Sequence, residues 1–597
     1  MSDLCVNRYY RRVADWKSAI QQVGNPRYGL CVRSRAWQRI LWLLLFLPVC
    51  AALLLGCRAT HSTPHKPTAA RSKTREPAPD TDKVVAAHAH YAAAVIHEMN
   101  HESDAALKEY YQAAMTDASD DEMTLDISSK FIETKQLDKA IEVLNRRATR
   151  PDASGAIFAR LGAIYFQQGK TNEAVAANRT AIKRSPDVLA GYQNLFLASL
   201  QNKRYPEGLK ILDEAAAQPN TDAEFLLSLA GLYIRLGLQA PAEKNVAHTN
   251  ARVVLDRAEK LHPENPSLRL QLAEGLNAVG EYAKAAPIYL DLLKNLPDIP
   301  LLRERIHARL TDIYLRGDDR QRAAEQLQAI IRDEPTNPQP YYWLGGIALD
   351  QKKYQEAADH FNRCLLLNKD FEPAYYDLAV AQLNMNKPGD ALATLEKARQ
   401  KFTPSFGLEF WSGMALARQK AYKEALGHYT KAEVLARATE PKRLNELFYF
   451  EFGAAFERSG DYDQAETYFQ KCIEAAPNFA EALNYLGYMW AEHGKKLEQA
   501  RELIEKAVKL EPKNPAYLDS LGWVQFKLGQ PKEGLENILK AAELSPEVDA
   551  TIYDHLGDVY AALNQSDKAR EAWQKSLSVD ANEAVQKKLT PAATTTK

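Results

Sequence analysis

The stretch from Leu483 to Gly529, LNYLGYMWAEHGKKLEQARELIEKAVKLEPKNPAYLDSLGWVQFKLG, constrains this chain more than any other. Leu486-Gly487 returns 35 residues later as Leu521-Gly522, with Ala507 and then Pro512 between them. The spacing reads as helix, turn, helix, turn, and then the same unit again. A single helical hairpin cannot bury its apolar stripe alone, so it must stack on a further copy of itself. Where neighbouring helices approach closely, only a small side chain fits.

The same register extends along the chain. The small position of the first helix (helix A) falls at Ala94, Ser128, Gly162, Phe196, Ala230, Ala273, Thr311, Gly345, Ala379, Gly413, Gly453, Gly487, Gly522 and Gly557. Phe196 and Thr311 are poor matches and rest on their neighbours' register. The second helix (helix B) opens on residues such as Ala174, Ala357, Ala465 and Ala569, about twelve residues further on. Pro186, Pro297, Pro335, Pro477, Pro512 and Pro546 follow helix B, where proline stops a helix. On these residues the chain resembles the tetratricopeptide repeat (TPR) family over 83–583. The resemblance implies an all-α solenoid, a right-handed superhelix of about fourteen hairpins whose helices A line the concave face. The register slips near Lys244 to Val253, Pro297 to Arg305, and Ala436 to Leu444, where extra residues belong in turns or lengthen helices.

Ahead of the repeats, residues 1–39 carry eight basic and two acidic side chains. Residues 40–57 then run uncharged, ILWLLLFLPVCAALLLG, into Cys57. This order is that of a secretory signal. Its end, Leu54-Leu55-Gly56-Cys57, resembles the bacterial lipobox, which implies lipidation at Cys57 and a lipid anchor; a plain transmembrane anchor is the alternative. The missing Asp after Cys57 suggests, by the same resemblance, the outer membrane facing the periplasm. Loss of residues 1–56 would take the chain from −1 to −7. An acidic surface disfavours nucleic acid as a partner. Residues 58–82, rich in Pro, Thr, Ser and charge, read as a flexible tether, and 584–597 as a disordered tail. Mean hydropathy of −0.42 excludes a protein of many membrane spans.

LNYLGYMWAEHG (483–494), NPAYLDSLGWVQFKLG (514–529) and YDHLGDVYAALN (553–564), with Trp573, resemble a bacterial group of lipid-anchored TPR proteins. Some members are outer-membrane adaptors that partner periplasmic carboxyl-terminal processing proteases. That resemblance implies a scaffold or adaptor binding proteins or peptides, with a scaffold for secretion or polysaccharide export as the alternative. A homodimer is open to it, since a solenoid has free ends.

Three residues before the small position, the sequence reads Tyr342, Tyr376, Phe410, Phe450, Asn484, Asp519 and Asp554. One turn on, Tyr488, Trp523 and Asp558 share that face. An aromatic ladder passing into an acidic stretch suits a peptide-binding groove; the same rings could equally fill gaps between helices. His97-Glu98-Met99-Asn100-His101 spells the zinc-protease signature HExxH. In the repeat register His101 falls in a turn, which breaks the one-face geometry the metal needs, so no metal, cofactor or catalytic residue is expected; a zinc metalloprotease through HEMNH is the lesser alternative. Cys364 and Cys472 fall at small positions and read as packed thiols.

Overall fold

A computed structural model describes residues 81–219, 221–295 and 299–589. The signal, Cys57 and the tether up to residue 80 lie outside the described residues, as do residues 590–597 of the tail. Among the described residues there are 29 α-helices and two short 3-10 turns, and no strand. In chain order the helices run as fourteen pairs, from Thr81–Met99 with Ser103–Thr116 to Ala550–Ala562 with Ser566–Leu577. One more helix, Glu583–Leu589, follows. The described residues divide into two compact units, one ending at Asp318 and the other beginning at Asp319.

The repeat register has a packing cause. An added Cβ at Gly413 would lie 2.8 Å from the ring of Tyr429, the fully buried aromatic sixteen residues later on helix B. The same offset sets Gly345 against Phe361, Gly453 against Phe469 and Gly557 against Trp573. These four hairpins thus close by seating a large ring on a bare stretch of backbone. Full burial of such a ring is worth roughly 1.5–3 kcal/mol. Between the two helices the chain turns through a left-handed residue, at Lys352, Asn386 and Lys420 with φ of 60°, 56° and 63°. Helices A start on side-chain caps at Asn337, Asn514 and Asp549.

In the unit that begins at Asp319, successive helices A approach one another more closely than successive helices B do, as Pro338–Asp350 approaches Glu372–Asn384 and Ala480–Glu492 approaches Pro515–Lys527. Helices A therefore form the inner side of that stack.

All three register slips are absorbed by longer helices. Ala223–Gln239 and Lys244–Lys260 have 17 residues each and are joined by the turn Pro241–Glu243. Pro300–Arg316 also has 17, and Tyr422–Thr439 has 18. The outer boundaries move slightly. The first helix starts at Thr81, inside the expected tether, and Glu583–Leu589 is helical where the sequence suggested a disordered tail. Val585 is buried there, and Lys588 pairs with Asp554 and Asp558, which gives this short helix the anchors a free tail would lack. Cys364 and Cys472 are buried, unbridged thiols, and burial pushes the Cys364 thiol up to about 12.

Candidate protein-binding face

The row three residues before the small position is where the groove was expected, and two of its four aromatics are packed away in the core. Phe410 and Phe450 are 3% exposed. Phe410 lies among Phe406, Tyr429 and Phe448, and Phe450 among Phe469, Phe479 and Tyr485. Both are core residues and cannot touch a ligand directly. Tyr342 and Tyr376 are half-buried. The Tyr342 hydroxyl donates to Asp377 at 2.8 Å and that of Tyr376 donates to Glu372. Asn484 is buried, and its side-chain carbonyl has no hydrogen-bond partner.

The polar half of the expected groove is brought together, as a set of internal links. His555 donates from Nδ1 to the Asp519 carboxylate at 2.9 Å, with both side chains 5% exposed. Trp523 stacks on His555 and its indole N–H donates to Glu492. Tyr488 stands 6.1 Å from the His555 ring. Asp554 and Asp558 clamp the Lys588 ammonium at 2.7 and 2.8 Å, and Trp573 donates to Asp558. Burial alone would hold the His555 imidazolium down; the Asp519 carboxylate more than offsets this and raises it.

These contacts follow one rule. The residue three before the small position of one helix A meets the residue two before it on the next. Tyr91 donates to Asp126, Tyr342 to Asp377, and Phe450 packs edge-on to Tyr485 at 5.2 Å. Asp519 holds His555, and the Ala159 carbonyl accepts from Asn194. The position chosen for its aromatic content is therefore the seam between repeats.

The row one residue later, two before the small position, was missed by sequence reasoning. In five successive repeats it reads Trp343, Asp377, Trp411, Glu451, Tyr485, an alternation of aromatic and acid. All five side chains are half-buried, unlike Phe410 and Phe450 beside them. The alternation is visible in the sequence. Its meaning depends on knowing which side of helix A the neighbouring repeat covers. Burial pushes the Asp377 carboxyl up to about 6, although the Tyr342 hydroxyl works against it. It pushes Glu451 up to about 7, with the charge of Arg418 opposing. By contrast, Glu409 on the same stack is held below its usual range. Its burial is outweighed by hydrogen bonds from His428 at 2.6 Å and from Arg399.

HEMNH does not assemble. The helix stops at Met99, and His101 lies beyond it in the left-handed region at φ 62°. His97 is hydrogen-bonded to Glu102, while the Glu98 carboxylate is held by Lys130 at 2.7 Å and by the Tyr110 hydroxyl. No group of three His, Cys, Asp or Glu side chains that could hold a metal ion occurs among the described residues. Among them also, no helix is long and apolar enough to cross a membrane.

A stack of hairpins with a half-exposed inner row is a helical-repeat scaffold of the protein-binding kind. Family models described as tetratricopeptide repeat match residues 310–366, 450–517, 348–405, 156–188 and 550–583. The chain carries tetratricopeptide repeats. Among curated proteins it is similar to the peroxisomal targeting signal receptor of Saccharomyces cerevisiae, 25% identical over 234 residues, 38% of this chain and 36% of the receptor. It is also similar to human protein O-mannosyl-transferase TMTC3, 22% identical over 194 residues, 32% of this chain and 21% of the transferase. The chain spans little more than a third of the first relative and about a fifth of the second. Among solved structures, the APC/C hetero-tetramer Cut9–Hcn1 covers 77% of this chain and 94% of that chain at 15% identity, with a TM-score of 0.38.

Proposed function

We propose that this protein is a lipid-anchored adaptor of the bacterial envelope that gathers protein or peptide partners on the inner row Trp343, Asp377, Trp411, Glu451 and Tyr485. The observation that carries the binding role is that row: half-buried aromatics alternating with half-buried acids, on the side of the stack where helices A meet. The anchor and location rest on the basic run, the apolar run and the lipobox-like Leu54 to Cys57. The yeast relative is by name a receptor for a targeting signal, which agrees with recognition of a protein segment. Function then follows from position: acyl chains at Cys57 fix the chain to a membrane, and the row collects partners within reach of residues 58–80.

The test joins anchor and face. Cells are fed an alkyne fatty acid, the protein is isolated with whatever it binds, and wild type is compared with Cys57→Ser and with Trp411→Ala. Wild type should carry the label in the outer membrane and retain partners. Cys57→Ser should lose the label, and Trp411→Ala should lose partners while staying anchored. A captured processing protease supports the protease-adaptor reading, and a channel or polysaccharide synthase the export-scaffold reading. Unlabelled wild type, or full capture by Trp411→Ala, rejects the corresponding half of the proposal.

A further inference from the structure

Resting on the reading that this face binds protein segments, we infer that the row accepts a partner segment with two basic side chains. One arginine or lysine sits on Asp377 between Trp343 and Trp411, the other on Glu451 between Trp411 and Tyr485. The row places an acid after each tryptophan, so a cation entering at either acid meets a carboxylate below and aromatic rings on either side. Arginine suits this setting best, because its guanidinium stacks and forks at once.

The corner at Glu451 faces Arg418, and Arg458 is hydrogen-bonded to Tyr485 beside it; one buried group there lacks a partner. Tyr429 is fully buried, its hydroxyl has no hydrogen-bond partner, and the charges acting on it are those of Glu451 and Arg418. Asp377 has the Tyr342 hydroxyl as its donor at 2.8 Å. Arg418 offsets only part of the burial of Glu451, and the carboxyl still sits at about 7. A buried carboxyl that costs energy to ionise binds a cation with a gain that an already paired one, such as Glu409, cannot offer. The two acids are two repeats apart, on the order of 20 Å for helices packed at about 10 Å. An extended chain covers this in about six residues.

The probe is a heptapeptide with arginine at both ends, five Gly and Ser residues between, and blocked termini, titrated calorimetrically into the full chain. One peptide should bind per chain at pH 7.5. Asp377→Asn with Glu451→Gln should weaken binding at least about tenfold. Glu451→Asp, which keeps the charge, should retain most of it. Wild-type affinity should fall as pH drops from 8 to 6, because protonation of Asp377 and Glu451 removes the receiving charges, while the double variant stays flat. Circular dichroism should be unchanged in every variant. No binding by wild type, or equal binding by the double variant, overturns the inference. If a natural partner captured through Trp411 engages the row with a neutral or acidic segment, the inference fails while the scaffold reading stands. If nothing is captured, the scaffold reading fails as well.

Discussion

The imidazole of His555 lies flat on the indole of Trp523, ring centroids 3.9 Å apart and 13° from parallel. Its Nδ1 meanwhile holds Asp519. One buried side chain thus joins helix Ala550–Ala562 to helix Pro515–Lys527 by stacking and by charge. The groups facing it are Trp523, Asp519, Tyr488, Glu492 and Asp554.

Removing one partner of a buried ion pair strands the other, so His555→Ala should cost about 3 kcal/mol of the stability of the unit that begins at Asp319. The pH dependence has a fixed sign. The folded pKa of His555 is raised above its unfolded value. Its contribution is therefore full below the unfolded pKa and is lost as pH rises through the folded one. Thermal melts of wild type should weaken over that range, and Asp519→Asn should flatten the dependence.

Glu451 carries the opposite lesson for an acid. Its folded pKa is raised from 4.5 to about 7. Folding is thus favoured while the carboxyl is protonated, and that benefit disappears as pH rises from 4.5 through 7. Glu451→Gln keeps the shape without the charge, so at pH 8 it should stabilise the unit by about 1–2 kcal/mol. Denaturant melts at pH 5 and pH 8 should show no gain at the lower pH.

Gly413 tests the closing of a hairpin. A methyl group there would press on the ring of Tyr429 at 2.8 Å. Gly413→Ala should destabilise by about 1–3 kcal/mol. The Tyr429→Leu background, where the ring is absent, should make the same substitution much milder, which a double-mutant cycle reads directly.

Glu98 is an ion-pair partner, with its carboxylate taken by Lys130 and Tyr110. Purified protein should therefore hold no stoichiometric zinc by elemental analysis. His97→Ala should leave that result unchanged, and Glu98→Gln should cost no more than about 1 kcal/mol of stability.

The hairpins were legible in the sequence because their cause is local and repeated: a glycine on helix A and a large ring sixteen residues on, as in Gly413 with Tyr429. The turn at His101 was legible for the same reason, since a register that puts Gly169 in the equivalent place also ends the helix before it. The face was harder to read. One residue along a helix turns the side chain through about 100°. That step separates Phe410, wedged between repeats, from Trp411, which is half-exposed. Phe450 and Glu451 differ in the same way. Which of two adjacent rows is covered depends on how the next repeat leans, and no single repeat records that. Asp519 and Trp523 were read as sharing a groove face, and in the structure both meet His555, a partner 36 residues from Asp519. Lys588 came from a segment too short and too late to be read as structure.

The central claim is that partners bind on the inner row, and photo-crosslinking tests it most directly. A benzophenone amino acid is placed at Trp411 on the row, or at Val434, 63% exposed on helix B Tyr422–Thr439. Each variant is irradiated in cells with the full chain in its own membrane. Crosslinked partner protein from position 411 and none from position 434 is the predicted result. Equal yields from the two positions, or capture from 434 alone, would contradict the account.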